Sequence, residues 1–193
     1  MEITVRDAIT VVHGMGFGAL LLLLFSGSAV AVHSLSYSAG PDSQGANDRR
    51  RQFGAYFAVM ALLAWLAVFA GAYIVYPWYR AHPPVGTMDL ASFPKALLTS
   101  SPATSGWHDI GMEWKEHIAW LSPICLTAVT VVVYRYGAQL HDLKGLRSAT
   151  VGLLAVAFLA TGVAGFFGAM LNKYAPVRGG ATIVLMKGET HDK

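Results

Sequence analysis

FGAYFAVMALLAWLAVFAGAYIVYPW, residues Phe53 to Trp78, contains no Asp, Glu, Lys or Arg. The run exceeds the roughly 20 residues that carry an α-helix through the hydrocarbon of a bilayer. It is apolar on every helical face, so it has no side to offer to water. Lipid gives backbone amides no hydrogen-bond partner, and the ten-residue alternation of a barrel strand is absent, so the run predicts a membrane-crossing helix. Three further stretches, 8–32, 117–136 and 148–171, read the same way. The expected fold is therefore an all-α integral membrane protein: a four-transmembrane-helix bundle forming a single membrane domain over 1–193. It has a long second loop over 79–116 and a C-terminal tail over 172–193.

Composition points the same way. Hydrophobic residues make up 54% of the chain and charged residues 13%, more apolar surface than a soluble domain of this size can bury in one core. Ser28-Ala29-Val30-Ala31 resembles a leader cleavage site, but Glu2, Arg6 and Asp7 are not the basic cluster of a secretory signal, so the first run is expected to stay as a span. Cys125 is the only cysteine, which excludes an intrachain disulfide framework and a thiolate metal cluster. No CxxCH occurs, which excludes covalent c-type haem. Basic residues are too dispersed for nucleic acid, and no glycine loop for phosphate or nucleophile with its base is present.

Orientation rests on Lys and Arg. The first and third connections carry six, Arg49, Arg50, Arg51, Arg135, Lys144 and Arg147, beside Asp42, Asp48 and Asp142. The opposite side carries eight, Arg6, Arg80, Lys95, Lys115, Lys173, Arg178, Lys187 and Lys193, diluted over longer segments and matched by acids. Density in short loops near span ends is what counts, so the short connections are expected in the cytoplasm and the N-terminus in the periplasm of a bacterial cytoplasmic membrane. Tyr73, Tyr76, Trp78 and Tyr79 at the end of the second run, with Trp114 and Trp120 around the start of the third, mark the periplasmic boundary as an aromatic belt. Pro83, Pro84, Pro94 and Pro102 predict an irregular second loop with at most a short interfacial helix around Leu90 to Leu98.

His13 lies about a turn and a half inside the first span, and His117 opens the third. Spans one and three run in the same direction, so the two imidazoles are expected at similar depth, as the axial nitrogens of one bis-histidine b-type haem would be. Gly14 and Gly18 would let a flat macrocycle lie against the first helix; equally, Gly14-x-x-x-Gly18 is a signature of close helix packing. Pro123 removes the donor for the carbonyl of Ala119 and permits a kink near His117. A second haem on His33 and His141 is disfavoured. The 20 residues from His13 to His33 rise about 30 Å, nearly the whole hydrocarbon thickness, and His141 sits in a polar segment. The plain alternative for each histidine is an intramembrane imidazole bonded to a neighbouring helix. Met15 and Met170 read as filler, and Gly162, Gly165 and Gly168 as a helix contact.

Glu113 and Glu116, with His108 and Asp109 upstream, form an acid–histidine cluster beside His117. Such a cluster can accept protons from a quinol or dock a soluble c-type cytochrome; the alternative is ordinary solvated charge at a helix start. Four spans with histidines on the first and third give the chain an architectural likeness: it resembles the small b-type cytochrome subunits that anchor respiratory oxidoreductases, in which haem-ligating histidines project from four or five membrane helices. That resemblance implies one haem b, other subunits of a membrane complex as partners, and electron transfer to or from quinone. The competing expectation is a cofactor-free accessory subunit whose spans pack on larger partners. A transporter is disfavoured, because the spans hold almost no ionisable residue beyond His13.

Overall fold

The computed structural model describes residues 2–36 and 44–184; Asp42, Lys187 and Lys193, which entered the orientation count, lie outside them. Four of its helices are long and apolar enough to cross a membrane: Val5–Leu35, Asn47–Tyr79, Pro102–Gln139 and Lys144–Tyr174, here spans 1 to 4. Each outruns the apolar stretch that announced it, because a charged end bars a turn of helix from lipid and not from being helical.

Span 3 differs most from expectation. It begins at Pro102 instead of 117, so the second loop is not one irregular stretch over 79–116. Ser101 accepts a hydrogen bond from the amide of Ala103 at 3.3 Å, and Pro102 stands in the first turn, where its missing N–H costs nothing. Before this cap lie an irregular stretch and a short helix, Pro94–Thr99, overlapping the interfacial helix expected there.

The terminal segments form a two-stranded antiparallel ribbon that three-residue strands could not announce: β1, Glu2–Thr4, pairs with β2, Thr182–Val184. Thr4 is also the first cap of span 1. Its Oγ1 accepts from the Asp7 amide at 3.1 Å while the Asp7 carboxylate accepts from the Thr4 amide at 3.2 Å, a reciprocal pair that satisfies two orphan donors. Gly179 and Gly180, with φ of 112° and 86°, turn the tail so that Arg6 donates to the Arg178 carbonyl at 3.4 Å. The two strands and the 80–101 connection thus share one face of the bundle, the terminal face. The end of span 1, the start of span 2 and the 140–143 connection lie on the other, the loop face.

Each span packs on its neighbours in the ring order 1-2-3-4, leaving spans 1 and 3 diagonal. Leu21, Phe57, Met60, Leu126, Val129 and Val133 fill the main core. A second, smaller core under the terminal face gathers Tyr79, Leu98, Met112 and Leu171 around Trp107. Spans 3 and 4 are also tied by hydrogen bonds, Ser122 to Thr161 at 2.6 Å and Trp114 Nε1 to the Ala160 carbonyl at 3.3 Å. Gly162 and Gly165 meet Leu22 of span 1 at 4.0 and 3.7 Å from where a Cβ would stand, the helix contact expected of them. Gly14 has nothing within 4 Å of such a position, and Gly18 meets only the His13 carbonyl of its own helix. Their spacing therefore marks no contact with another span of this chain.

Three spans widen into π-helical turns toward the terminal face: Val12–Ala19, Gly71–Val75 and Trp114–Ile118. Two of these precede a proline. Pro77 has no amide to donate and its ring crowds the carbonyl one turn back, so the turn before it opens, and the Tyr76 amide reaches the Gly71 carbonyl five residues away. Pro123 acts likewise on Ala119, whose carbonyl is taken instead by the Ser122 amide at 3.2 Å while the Ala119 amide reaches back to Trp114 at 3.1 Å. The first widening contains Gly14, Gly16 and Gly18, which bring no side chains to oppose it.

The tight contact of Gly111 against Phe167, 3.1 Å from a would-be Cβ, and the open space at Gly14 give a paired prediction. Gly111→Leu should destabilise the bundle by about 1–3 kcal/mol through overpacking, while Gly14→Leu should leave it unchanged or slightly firmer. Thermal exposure of buried Cys125, the single thiol, to a maleimide dye in detergent reads both; equal midpoints for the two variants would refute this packing.

Candidate functional site

Near the terminal face, spans 2 and 3 hold a cleft of about 420 Å³ lined by Tyr76, Arg80, Lys95, His108, Asp109, Met112, Glu113 and Glu116. Its polar groups are linked. The Arg80 guanidinium lies over the Tyr76 ring, 5.3 Å from the centroid, and donates to Tyr76 Oη at 2.9 Å. Tyr76 in turn donates to the Glu116 carboxylate at 2.7 Å, completing a chain from cation through phenol to anion. On the adjoining wall, Tyr79 Oη and His108 Nδ1 share a hydrogen bond of 2.8 Å, and the Tyr79 ring stacks on that of Tyr76. Position follows from backbone: Tyr76 comes directly after the widened turn that Pro77 forces on span 2, and Glu116 lies inside the one upstream of Pro123 on span 3. The cleft therefore gathers the acid–histidine cluster read from the sequence, His108, Asp109, Glu113 and Glu116.

His13 and His117 have different surroundings. His13 turns into the bundle against span 2: a Cβ at Gly71 would lie 2.8 Å from its Cε1, and the Ala67 carbonyl, one turn from Gly71, stands within hydrogen-bond reach of the ring. Its Nδ1 is buried without a hydrogen-bond partner. The residue of span 3 that faces inward here is Lys115, whose Nζ sits 3.1 Å from where Gly168 would carry a Cβ. His117 faces outward, 67% exposed, with Nδ1 3.1 Å from the Glu113 carbonyl and 3.3 Å from its carboxylate.

Two axial ligands of one haem must aim their nitrogens into a common flat gap. Span 2 closes on His13, and His117 is held to its own turn on the outer side of span 3, so this pair does not fit one haem inside the bundle. Gly14 faces open space, and Gly18 meets only the His13 carbonyl. His33 is exposed, and His141 is exposed beside Asp142, 4.0 Å away. Met15 is 68% exposed, and among the described residues no three His, Cys, Asp or Glu side chains cluster as a metal site.

Sequence reasoning passed over Tyr76, Tyr79, Arg80 and Lys115. The tyrosines read as belt residues and the cations as solvated charge, which their local patterns equally allow. The available signal was a small residue facing Lys115, Gly168, together with two prolines that twist the helix faces out of simple register.

If the Arg80–Tyr76–Glu116 chain holds as described, Tyr76→Phe and Glu116→Gln should be coupled by about 1 kcal/mol in a double-mutant cycle of thermal unfolding; simple additivity would show the bond is not made. No protein-family model, curated protein or solved structure matches this chain.

Proposed function

We propose that this chain is a membrane subunit of an electron-transfer complex whose terminal-face cleft receives the ring of a quinol and takes up its protons. The observation that carries the reading is the convergence of Glu116, Glu113 and His108 with Tyr76 and Arg80 in one cleft near the ends of spans 2 and 3. Most of the lining is polar or charged, and Met112 with the Tyr76 ring supplies the apolar surface against which a quinol ring would lie. A quinol gives up two protons and two electrons on oxidation. Glu116 and Glu113 are placed to accept the hydroxyl protons, Arg80 holds Tyr76 against Glu116, and the electrons pass to a redox centre on a partner subunit. In the orientation set by the basic loops, protons released here enter the periplasm of a bacterial cell.

Binding of a fluorescent or photoreactive quinone analogue to the purified chain tests this. Glu116→Gln and Tyr76→Phe should each weaken binding about tenfold, the scale of one charge-assisted hydrogen bond, while Met15→Ala on the exposed side of span 1 should not. Equal binding by wild type and Glu116→Gln would end the proposal and leave the cofactor-free accessory subunit in its place.

One observation favours the b-type cytochrome reading, the orphaned Nδ1 of His13, because a buried ring nitrogen without a partner is what a metal would satisfy. A dithionite-reduced minus oxidised spectrum of the purified chain decides between the two. The quinol-cleft reading expects no b-type α-band that depends on His13; a band abolished by His13→Ala would give the haem to this subunit.

A further inference from the structure

On the loop-face half of the bundle, spans 1 and 4 part to leave a groove of about 910 Å³. Phe25 and Val32 stand on one wall, Val151 and Phe158 on the other, and Lys144, Arg147 and Ser148 close its end at the loop face. Two serines in its wall make no demand on an occupant, since Ser26 donates to the Leu23 carbonyl at 2.7 Å and Ser28 to the Met60 sulfur at 3.4 Å. From Lys144 to Phe158 the helix rises about 21 Å, which covers one leaflet of a bilayer whose hydrocarbon is about 30 Å thick, together with its headgroup layer.

Charge is concentrated at one end. Lys144 and Arg147 occupy the first turn of span 4, whose Leu143 cap supplies no side-chain hydrogen bond, so the orphan amides of a 31-residue helix add their partial positive charge. Among the described residues neither cation makes an ion pair, and the nearby Asp142 is exposed beside His141. Arg49, Arg50, Arg51 and Arg135 belong to the same face. An apolar channel one leaflet deep, ending in unpaired cations and a helix N-terminus, is complementary to a molecule with an apolar tail and an anionic head.

We propose that the groove between spans 1 and 4 binds an anionic phospholipid, one acyl chain lying along Val32 and Val151 and over the Phe25 and Phe158 rings, which meet edge to face with centroids 5.4 Å apart, and the phosphate resting on Lys144, Arg147 and the Ser148 hydroxyl. A zwitterionic lipid fits the channel equally but carries no net charge for the two cations, so the head decides the preference.

The test is native mass spectrometry of the full chain, delipidated in detergent and supplied with dioleoyl phosphatidylglycerol, dioleoyl phosphatidylcholine or inorganic phosphate. Wild type should retain phosphatidylglycerol about thirtyfold more strongly than phosphatidylcholine, the effect of two cations near a lipid surface. Lys144→Gln with Arg147→Gln should erase that preference without moving the thermal midpoint read at Cys125. Val151→Trp, which fills the channel, should reduce retention of both lipids; should it misfold, the double Gln variant still decides. Equal retention of the two lipids by wild type, a preference that survives the double Gln variant, or inorganic phosphate displacing the lipid would each overturn the proposal. So would a dimer that phosphatidylglycerol fails to dissociate and Phe158→Ala does, since the groove would then be covered by a second copy of the chain.

Discussion

Proline inside a membrane helix removes an amide donor that lipid does not replace, and the arrangement of this bundle follows from how two such losses are absorbed. Pro77 and Pro123 stand on neighbouring spans, and each is preceded by a widened turn in which amides reach five residues back. The Ala119 carbonyl that Pro123 would orphan is met within the helix by the Ser122 amide, so the cost of several kcal/mol for a bare polar group in hydrocarbon is avoided there. Widening also rotates the side chains beyond it relative to the rest of the helix. That rotation places Tyr76 opposite Glu116, sends Lys115 inward to Gly168 and leaves His117 facing out.

Polar chemistry is thereby segregated by depth. The core of Phe57, Met60, Leu126 and Val129 is apolar throughout, and below it the loop face carries arginines and lysines with few acids. Toward the terminal face the order changes to an interior histidine and lysine, then a tyrosine layer, then carboxylates and Arg80 in the cleft. Hydrogen bonds in such a layer are strengthened by the low dielectric beside them, and linked ones polarise each other, so the chain from Arg80 to Glu116 acts as a unit.

How much of this is legible in residues alone depends on range. The four spans are, because an uncharged run longer than a bilayer is thick leaves helix as the only outcome. Their ends are not: Ser101 and Pro102 start span 3 well before its apolar stretch, and hydropathy is blind to a cap. The cluster of His108, Glu113 and Glu116 is legible as chemistry because its members lie within about two turns of one helix, whereas its partners Tyr76 and Arg80 come from another span and join it only through packing. Equal depth for His13 and His117 follows from counting residues, but which way each ring faces does not. Facing is set by the widened turns, whose effect on angle accumulates beyond any fixed period of 3.6 residues.

The ribbon of Glu2–Thr4 with Thr182–Val184 also orders events in time. The strand before span 1 finds its partner only after span 4 has been made, once all four spans have been threaded. Until then the lead end of span 1 has its Thr4–Asp7 cap but no clasp, and Arg6 lacks the Arg178 carbonyl it will hold. Closure of the ring of helices is thus a step that follows the making of span 4, and the segment before span 1 must wait on the terminal side of the bilayer for β2 to reach it.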